Sequence, residues 1–193
     1  MSVKQITSRD NAFFKELLKL SSSARHRGKL RQTLLDGAHL LSAYLASGKL
    51  PLHIITSEAA GQNAEISALL KLAPAVPVTR FDHALFAELS ELKTSSGVLA
   101  LIEMPQAGIA PLTFQFCLFL EYIQDPGNLG SMLRTAAAAG CEAVYLSKGC
   151  ADAWSPRVLR AAMGGHFVLN IYEDADLISA AGLFDGRIFA AAP

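Results

Sequence analysis

The chain has 193 residues, with 17 Lys or Arg against 17 Asp or Glu, and hydrophobic residues make up 51% of it. This composition excludes a disordered chain and supplies enough apolar material for a substantial core. The charge is uneven, because residues 1–50 hold nine basic and three acidic side chains, a net charge of +6 that the remainder balances. A basic N-terminal region indicates a polyanion-binding surface, although a solvated helix face would produce the same pattern as readily.

Residue types that indicate metals, membranes or secretion are scarce. The three cysteines, Cys117, Cys141 and Cys150, form no CxxC pair and are interpreted as buried thiols in a reducing compartment. The five histidines lack the spacing of metal ligands, so no metal site is expected. No run of ~18 apolar residues predicts a membrane span. The N-terminal MSVKQITSRDN lacks the apolar core of a signal peptide, and a cytoplasmic protein is expected.

Residues 1–103 alternate short predicted helices and strands. SRDNAFFKELLKL predicts a helix, and SSSARHRGKLR after it predicts a basic loop that ends near Gly28. A strand, a turn at Asp36-Gly37 and a helix closed by Gly48 follow. PLHIITS, PVTRF and GVLALIEM predict further strands; QNAEISALLKL and DHALFAEL predict helices, the second capped by Asp82. Residues 104–113, MPQAGIAPLT, are interpreted as a linker.

A second alternating unit occupies residues 114–193. Its predicted strands are FCLFLEYI, CEAVYLS, HFVLNIY and GRIFAAA, and its predicted helices are LGSMLRTAAAAG, SPRVLRAAMGG and DADLISAAG. Ser155 is the expected cap of the second of these helices, with Pro156 in its first turn. The pattern predicts a parallel sheet with right-handed crossovers, whose ligand crevice lies beyond the carboxyl ends of the strands. The chain stops directly after the last strand, so loops expected at that crevice are missing.

The stretch DPGNLGSMLRTAAAAG, residues 125–140, is the strongest candidate for function. Asn128 is predicted as the helix N-cap, and a buried stripe is predicted at Leu129, Leu133, Ala136 and Gly140. Arg134 shares the other face with small residues, namely Gly127, Ser131 and Ala138. It could therefore meet an anionic ligand near a helix N-terminus, although an arginine extending to solvent fits the spacing equally well.

These residues resemble the first motif of the SpoU (TrmH) family of RNA ribose 2′-O-methyltransferases, in the SPOUT superfamily. Seven positions match at fixed spacing: Asp125, Pro126, Asn128, Gly130, Arg134, Ala136 and Gly140. ITSRDNAFFKELLKL, LLDGAHLL, SSGVLALIEMP and SPRVLRAAMGGHFVLNIY also resemble family segments. The resemblance implies an α/β fold: a small α/β RNA substrate-binding domain (1–103), the linker (104–113), and an incomplete Rossmann-like parallel-sheet methyltransferase domain (114–193).

Two departures from the family pattern accompany the resemblance. Ala162 stands where the family usually has serine, which removes a hydroxyl. The family's Gly-x-Glu-x-x-Gly and Ile-Pro-Met…Ser-Leu-Asn-Val-Ser motifs, which form the knotted S-adenosylmethionine pocket, do not occur before Pro193. The cofactor-binding residues are accordingly expected beyond Pro193, and this chain is expected to be an inactive fragment of an active parent.

For that parent, the resemblance implies methyl transfer from S-adenosylmethionine to a ribose 2′-hydroxyl of ribosomal or transfer RNA. It assigns catalytic roles to Asn128 and Arg134. A guanidinium keeps its proton to a pKa above ~12, so we expect Arg134 to grip a phosphate and orient the hydroxyl rather than act as a base. The resemblance also implies a homodimer through the knotted region, a question that stays open for this chain.

The first domain is expected to dock RNA through four basic residues in a flexible loop, Arg25, Arg27, Lys29 and Arg31. Trp154 and His166 are interpreted as structural, and Cys150 has no neighbouring base that would make it a nucleophile. One alternative is a non-catalytic RNA-binding module. The other is a Rossmann-type nucleotide-dependent enzyme, against which the absence of G-x-G-x-x-G and G-x-x-x-x-G-K-[ST] counts.

Overall fold

The computed structural model describes residues 4–90, 92, 95–105 and 114–191. The first part of the chain forms a five-stranded mixed sheet in the order β1-β4-β3-β5-β2. Strands β1, β4 and β3 run parallel, whereas β5 runs antiparallel to both β3 and β2. The bounds are β1 (Lys4–Ile6), β2 (Gln32–Asp36), β3 (His53–Ser57), β4 (Val78–Phe81) and β5 (Val98–Glu103).

Five α-helices cover this sheet: α1 (Ala12–Ser22), α2 (Ala24–Leu30), α3 (Ala38–Ala46), α4 (Ala64–Leu72) and α5 (His83–Leu89), with a 3₁₀ turn at Glu58–Gln62. Helix α1 is capped by Asn11, whose Oδ1 accepts from the backbone N–H groups of the first turn. The predicted cap of α5 is confirmed, because the Asp82 carboxylate accepts from the Leu85 N–H. Within the described ranges, every helix is too short or too polar to cross a bilayer.

One prediction for this part of the chain is wrong, and one strand was not predicted. The segment interpreted as a flexible basic loop is helix α2, which starts after Ser23 because the serine hydroxyl accepts from the His26 N–H at 3.2 Å. Strand β1 was not predicted: it has three residues, two of them exposed, and each pairs with a residue of β4 that lies 75 positions later in the chain. Neither a three-residue strand nor a run of serines gives a periodic signal.

The second part of the chain forms a parallel three-stranded sheet in the order β6-β7-β8. Its strands are β6 (Cys117–Leu120), β7 (Ala143–Ser147) and β8 (Asn170–Ala175), and its helices are α6 (Pro126–Ala138), α7 (Pro156–Ala162) and α8 (Leu177–Gly182). Ser155 caps α7 with Pro156 in the first turn, as predicted. The α/β fold class with a parallel second sheet is thus confirmed. The linker prediction concerns residues 104–113, of which 106–113 lie outside the described residues.

Two strand predictions in this part are wrong. The strand predicted over HFVLNIY begins only at Asn170, because Gly165–Phe167 form a 3₁₀ turn. The strand predicted over GRIFAAA is absent from the described part of the sheet, and Ile188 and Phe189 are 56% and 86% exposed. An apolar run becomes a strand only where a neighbouring backbone pairs with it, and no described strand does so here.

One apolar core runs through both parts of the chain. Leu35 and Leu41 from the first part lie in the same buried cluster as Leu133, Trp154 and Val158 from the second. A separate cluster fills the opposite face of the first sheet, beneath α1 and α5, and includes Phe14, Leu17, Leu20, Phe81 and Phe86. The structural interpretation of Trp154 is confirmed, since the side chain is 5% exposed within the shared core. The two parts of the chain therefore pack through a shared apolar core, in which α7 lies against β2.

His166 lies in this core and is 2% exposed. Its Nε2–H donates to the Ala153 carbonyl at 2.6 Å, and its Nδ1 has no partner among the described residues. Burial lowers the pKa of His166 to about 4, against the smaller opposing effects of the Ala153 carbonyl and Asp152. The imidazole is therefore neutral in the folded protein at pH 7.

We expect acid to destabilise the fold through His166. Between pH 6.5 and 4 the unfolded chain binds a proton at this residue that the folded protein does not, so stability falls as the pH falls and is restored as it rises. The loss should reach about 3 kcal/mol. Urea titrations at pH 7 and pH 4 measure this loss of stability in the wild type and in His166→Gln. The variant keeps an N–H donor at this position but does not titrate. Equal acid losses in both proteins would contradict the expectation.

Candidate functional site

Helix α6 begins one turn earlier than the sequence prediction. Asp125 is the N-cap, its Oδ1 accepting from the Asn128 N–H at 2.7 Å, and Pro126 occupies the first helical position. Proline suits that position because an N–H group there has no partner within the helix, so the lack of one in proline costs no hydrogen bond. The prediction of Asn128 as the cap is therefore wrong, and Asn128 lies in the first turn of the helix with an exposed side chain.

One face of α6 is locked into the core. Leu129, Leu133 and Ala136 are buried as predicted, whereas Gly140 lies beyond the helix, exposed and with a φ of 78°. A Cβ on Gly130 would lie 2.4 Å from the Ala161 Cβ and 2.7 Å from the Val158 carbonyl oxygen of α7. Only glycine allows α6 and α7 to approach this closely, and this contact fixes the orientation of α6.

The opposite face of α6 carries the candidate arginine. Arg134 is exposed, and so are the small residues that share its face, Gly127, Ser131 and Ala138. Helical side chains lean toward the helix N-terminus, so Arg134 inclines toward the preceding turn of α6, at Gly130 and Ser131. Neither side chain makes a hydrogen bond or ion pair with another described residue. Both are thus available to a ligand at the carboxyl edge of the second sheet.

Two loops at that edge support the start of α6, and the contacts between them were not predicted from the sequence. We call residues 121–125 the motif loop and residues 148–155 the connecting loop. The Ala151 N–H donates to the Ile123 carbonyl at 2.8 Å, and the Ile123 N–H donates to the Cys150 Sγ at 3.3 Å. The Tyr122 N–H donates to the Ser147 Oγ, at the end of β7, at 3.0 Å. Cys150 therefore serves as a hydrogen-bond acceptor within the scaffold.

Close packing joins these two loops further. Gly149 has a φ of 95°, and a Cβ there would lie 2.7 Å from the Tyr122 ring. Tyr122 itself has a φ of 57°, a conformation that side-chain-bearing residues rarely adopt. Gly149 was the one sequence signal for this contact, because a glycine after a strand is typical of a turn with positive φ. Its partner lies 27 positions earlier, beyond the reach of local pattern analysis.

The four basic residues predicted to bind RNA have three different environments. Arg25 and Lys29 lie exposed on α2. Arg31 ends α2 with a φ of 54° and donates from Nη2 to the Pro105 carbonyl. Arg27 is 4% exposed and forms an ion pair with Asp152 of the connecting loop. Arg25 and Lys29 are therefore exposed to solvent, whereas Arg27 forms a buried contact between the two parts of the chain.

A cavity of about 450 Å³ lies between α2, the end of β5 and the carboxyl ends of β7 and β8. Its border carries the carboxylates of Asp152, Glu173 and Asp174 and the guanidinium groups of Arg27 and Arg31. Burial raises the pKa of Glu173, with Asp152 and Asp174 acting in the same direction, while its hydrogen bond from the Ala153 N–H acts against it. Among the described residues, no group of three or more His, Cys, Asp or Glu side chains could hold a metal ion.

The chain matches known proteins over most of its length. Residues 115–191 match the SpoU rRNA Methylase family. The chain is 39% identical over 168 residues to rRNA methyltransferase 3B, mitochondrial, of Danio rerio, covering 81% of this chain and 36% of that protein. It is 33% identical over 169 residues to the 23S rRNA (guanosine(2553)-2′-O)-methyltransferase RlmP of Bacillus subtilis (strain 168), covering 88% of this chain and 64% of that protein.

Solved structures share the fold. A crystal structure of an RNA 2′-O ribose methyltransferase is similar with a TM-score of 0.75 at 28% identity, covering 91% of this chain and 67% of that one. The SpoU methyltransferase AviRb from Streptomyces viridochromogenes, in complex with the cofactor AdoMet, has a TM-score of 0.76 at 22% identity, covering 89% of this chain and 66% of that one. The chain spans 36% and 38% of the length of two Danio rerio relatives that it matches.

Proposed function

Because this chain belongs to the SpoU rRNA methylase family, we propose that the parent protein of this chain transfers a methyl group from S-adenosylmethionine to a ribose 2′-hydroxyl of structured RNA, ribosomal or transfer. The family match over residues 115–191 includes the whole motif from Asp125 to Gly140. The main support for the proposal is that the side chains of Asn128 and Arg134 are both exposed on helix α6. Neither side chain has a protein partner among the described residues.

Arg134 would position the RNA. Its guanidinium stays charged at any working pH and has donors in a planar fork, which suits two oxygens of one phosphate. A phosphate held beside the target ribose fixes the direction of the 2′-hydroxyl, and correct orientation alone contributes several kcal/mol to such a reaction. The exposed Asn128 amide is placed in the first helical turn, where it can bond the ribose.

S-adenosylmethionine, when bound, supplies the methyl group from its sulfonium centre. The cavity between the two parts of the chain combines apolar side chains, among them Met104, Trp154 and Ile171, with three carboxylates and two guanidinium groups. Neither Asn128 nor Arg134 lines this cavity, so it does not open onto the candidate catalytic turn. None of the described residues is therefore assigned to the cofactor.

The test is transfer of a labelled methyl group by the parent protein from S-adenosylmethionine to ribosomal and transfer RNA, followed by mapping of the modified nucleotide. Resistance of one phosphodiester bond to alkaline cleavage identifies a 2′-O-methyl group, because the free hydroxyl is what attacks the phosphate. Methylation on a base, or RNA binding with no transfer to either RNA, would contradict the proposal. The second result would favour a non-catalytic RNA-binding module. Light scattering would test the homodimer that the resemblance implies.

We expect Arg25 and Lys29 to bind RNA phosphates without sequence specificity. Replacing both by alanine should weaken RNA binding and reduce the slope of log affinity against log salt by roughly 0.7–0.9 for each phosphate that the variant no longer neutralises. The control replaces Arg9 and Lys15, which are exposed but paired with Glu88 and Asp10. Fluorescence anisotropy across a salt series measures the slope. An unchanged slope in the Arg25/Lys29 variant would remove α2 from the RNA interface.

A further inference from the structure

Arg27 uses nearly all of its hydrogen-bonding capacity inside the protein. Its Nε and Nη2 donate to the Asp152 Oδ2 at 3.0 and 2.5 Å, and its Nη1 donates to the Leu20 and Ser21 carbonyls at 2.6 and 3.1 Å. These hydrogen bonds occupy four of the five N–H groups of a guanidinium. Arg27 therefore has little left for a phosphate, and it joins the end of α1 to the connecting loop.

The connecting loop is held at a second point by the first part of the chain. The other oxygen of Asp152, Oδ1, accepts from the Trp154 N–H at 2.9 Å, and the Thr33 hydroxyl donates to the Trp154 carbonyl at 2.7 Å. Thr33 is completely buried and lies on β2. The loop is thus anchored to α2 at Asp152 and to the first sheet at Trp154.

The same loop holds the motif loop on its far side. Ala151, next to Asp152, donates to the Ile123 carbonyl, and Cys150 accepts from the Ile123 N–H. Ile123 lies two residues before Asp125, the cap of α6, and five before Asn128. A continuous series of hydrogen bonds and short chain segments therefore runs from α2 to the candidate catalytic turn.

We propose that Arg27 is a positioning residue: acting through Asp152 and the connecting loop, it sets the position of the motif loop and of the helical turn that carries Asn128. It joins the basic helix α2, which would face RNA, to the turn that would face the target ribose. The effect on methyl transfer rests on the proposed function. The effect on the position of the motif loop rests on the hydrogen bonds alone.

The first arm of the test measures amide hydrogen exchange on the 193-residue chain and needs no activity. The probes are the amides of Tyr122, Ile123 and Ala151, and the reference is the Ile54 amide of β3. In Arg27→Gln and in Asp152→Asn, the probe amides should exchange at least about tenfold faster relative to the reference. A tenfold change corresponds to about 1.4 kcal/mol in the local opening free energy. Arg27→Lys, which keeps the charge without the planar fork, should give an intermediate value.

The control is Leu17→Ala, which removes a fully buried side chain from the separate core beneath α1. It should lower global stability without changing the ratio of motif-loop exchange to Ile54 exchange. If Arg27→Gln lowers stability but leaves this ratio at the wild-type value, Arg27 only holds the two parts together and the proposal fails.

The second arm measures methyl transfer by the parent protein that carries these residues. Arg27→Gln should lower kcat by at least about tenfold with little change in KM for RNA, because a displaced catalytic turn impairs orientation more than docking. The Arg25/Lys29 variant should mainly raise KM. Faster exchange with an unchanged kcat would overturn the positioning role. A wild-type protein that transfers no methyl group would overturn the proposed function while leaving the exchange result standing, so the two failures are distinguishable.

Discussion

Replacement of Arg134 by alanine in the parent protein is expected to lower kcat for methyl transfer to RNA by about 100-fold while leaving the fold intact, because it removes the group proposed to orient the hydroxyl. Arg134 is exposed, and its side chain has no partner among the described residues, so the free energy of unfolding should change by less than ~0.5 kcal/mol. Steady-state methylation kinetics and a urea titration on the same preparation measure the two quantities.

Two further variants make the result for Arg134 specific. Arg134→Lys keeps the positive charge but loses the planar fork, so it should recover only part of the activity. Arg9→Ala removes an exposed arginine from a surface ion pair and should leave kcat at the wild-type value. Wild-type kcat in Arg134→Ala would mean that this arginine only extends to solvent.

Gly130→Ala is expected to destabilise the protein by about 1–3 kcal/mol, although alanine is normally the better helix former by about 1 kcal/mol. The reason is steric. The new Cβ would lie 2.7 Å from the Val158 carbonyl oxygen and 3.0 Å from the Ala162 nitrogen, both backbone atoms of α7 that move only if the helix moves. Chemical denaturation with a fixed m-value measures the loss.

Gly28 provides the matched control for Gly130. It also lies within a helix, α2, but a Cβ there would meet no atom within 4 Å. Gly28→Ala should therefore stabilise the protein by about 0.5–1 kcal/mol. Opposite signs for the two substitutions support close packing of α6 on α7, whereas stabilisation by both would show that the two helices separate easily.

The sequence predicted the elements that depend on local signals. Asp82 and Ser155 were identified as caps because each directly precedes an apolar helical pattern, and both cap their helices. The same logic failed at α6, where two good capping residues lie three positions apart. Pro126 decides between them, because proline favours the first helical position and so makes Asp125 the cap.

The environment of the candidate site was less predictable. The exposed face of α6 follows from helical spacing, so the solvent-facing position of Arg134 could be derived. Arg27 could not be separated from Arg25 and Lys29, because its partner Asp152 lies 125 residues away in the chain. Local patterns carry charge and periodicity, but only the folded topology decides which of several neighbouring arginines becomes buried.

The shared core has a consequence for how the protein unfolds. Leu41 of the first sheet's helix α3 and Leu133 of α6 lie in the same buried cluster, so neither part can open without exposing the apolar surface of the other. The two parts are therefore expected to unfold together. A substitution in the first sheet should lower the population of molecules in which the candidate catalytic turn is assembled, and a ligand bound at that turn should stabilise the first sheet to the same extent.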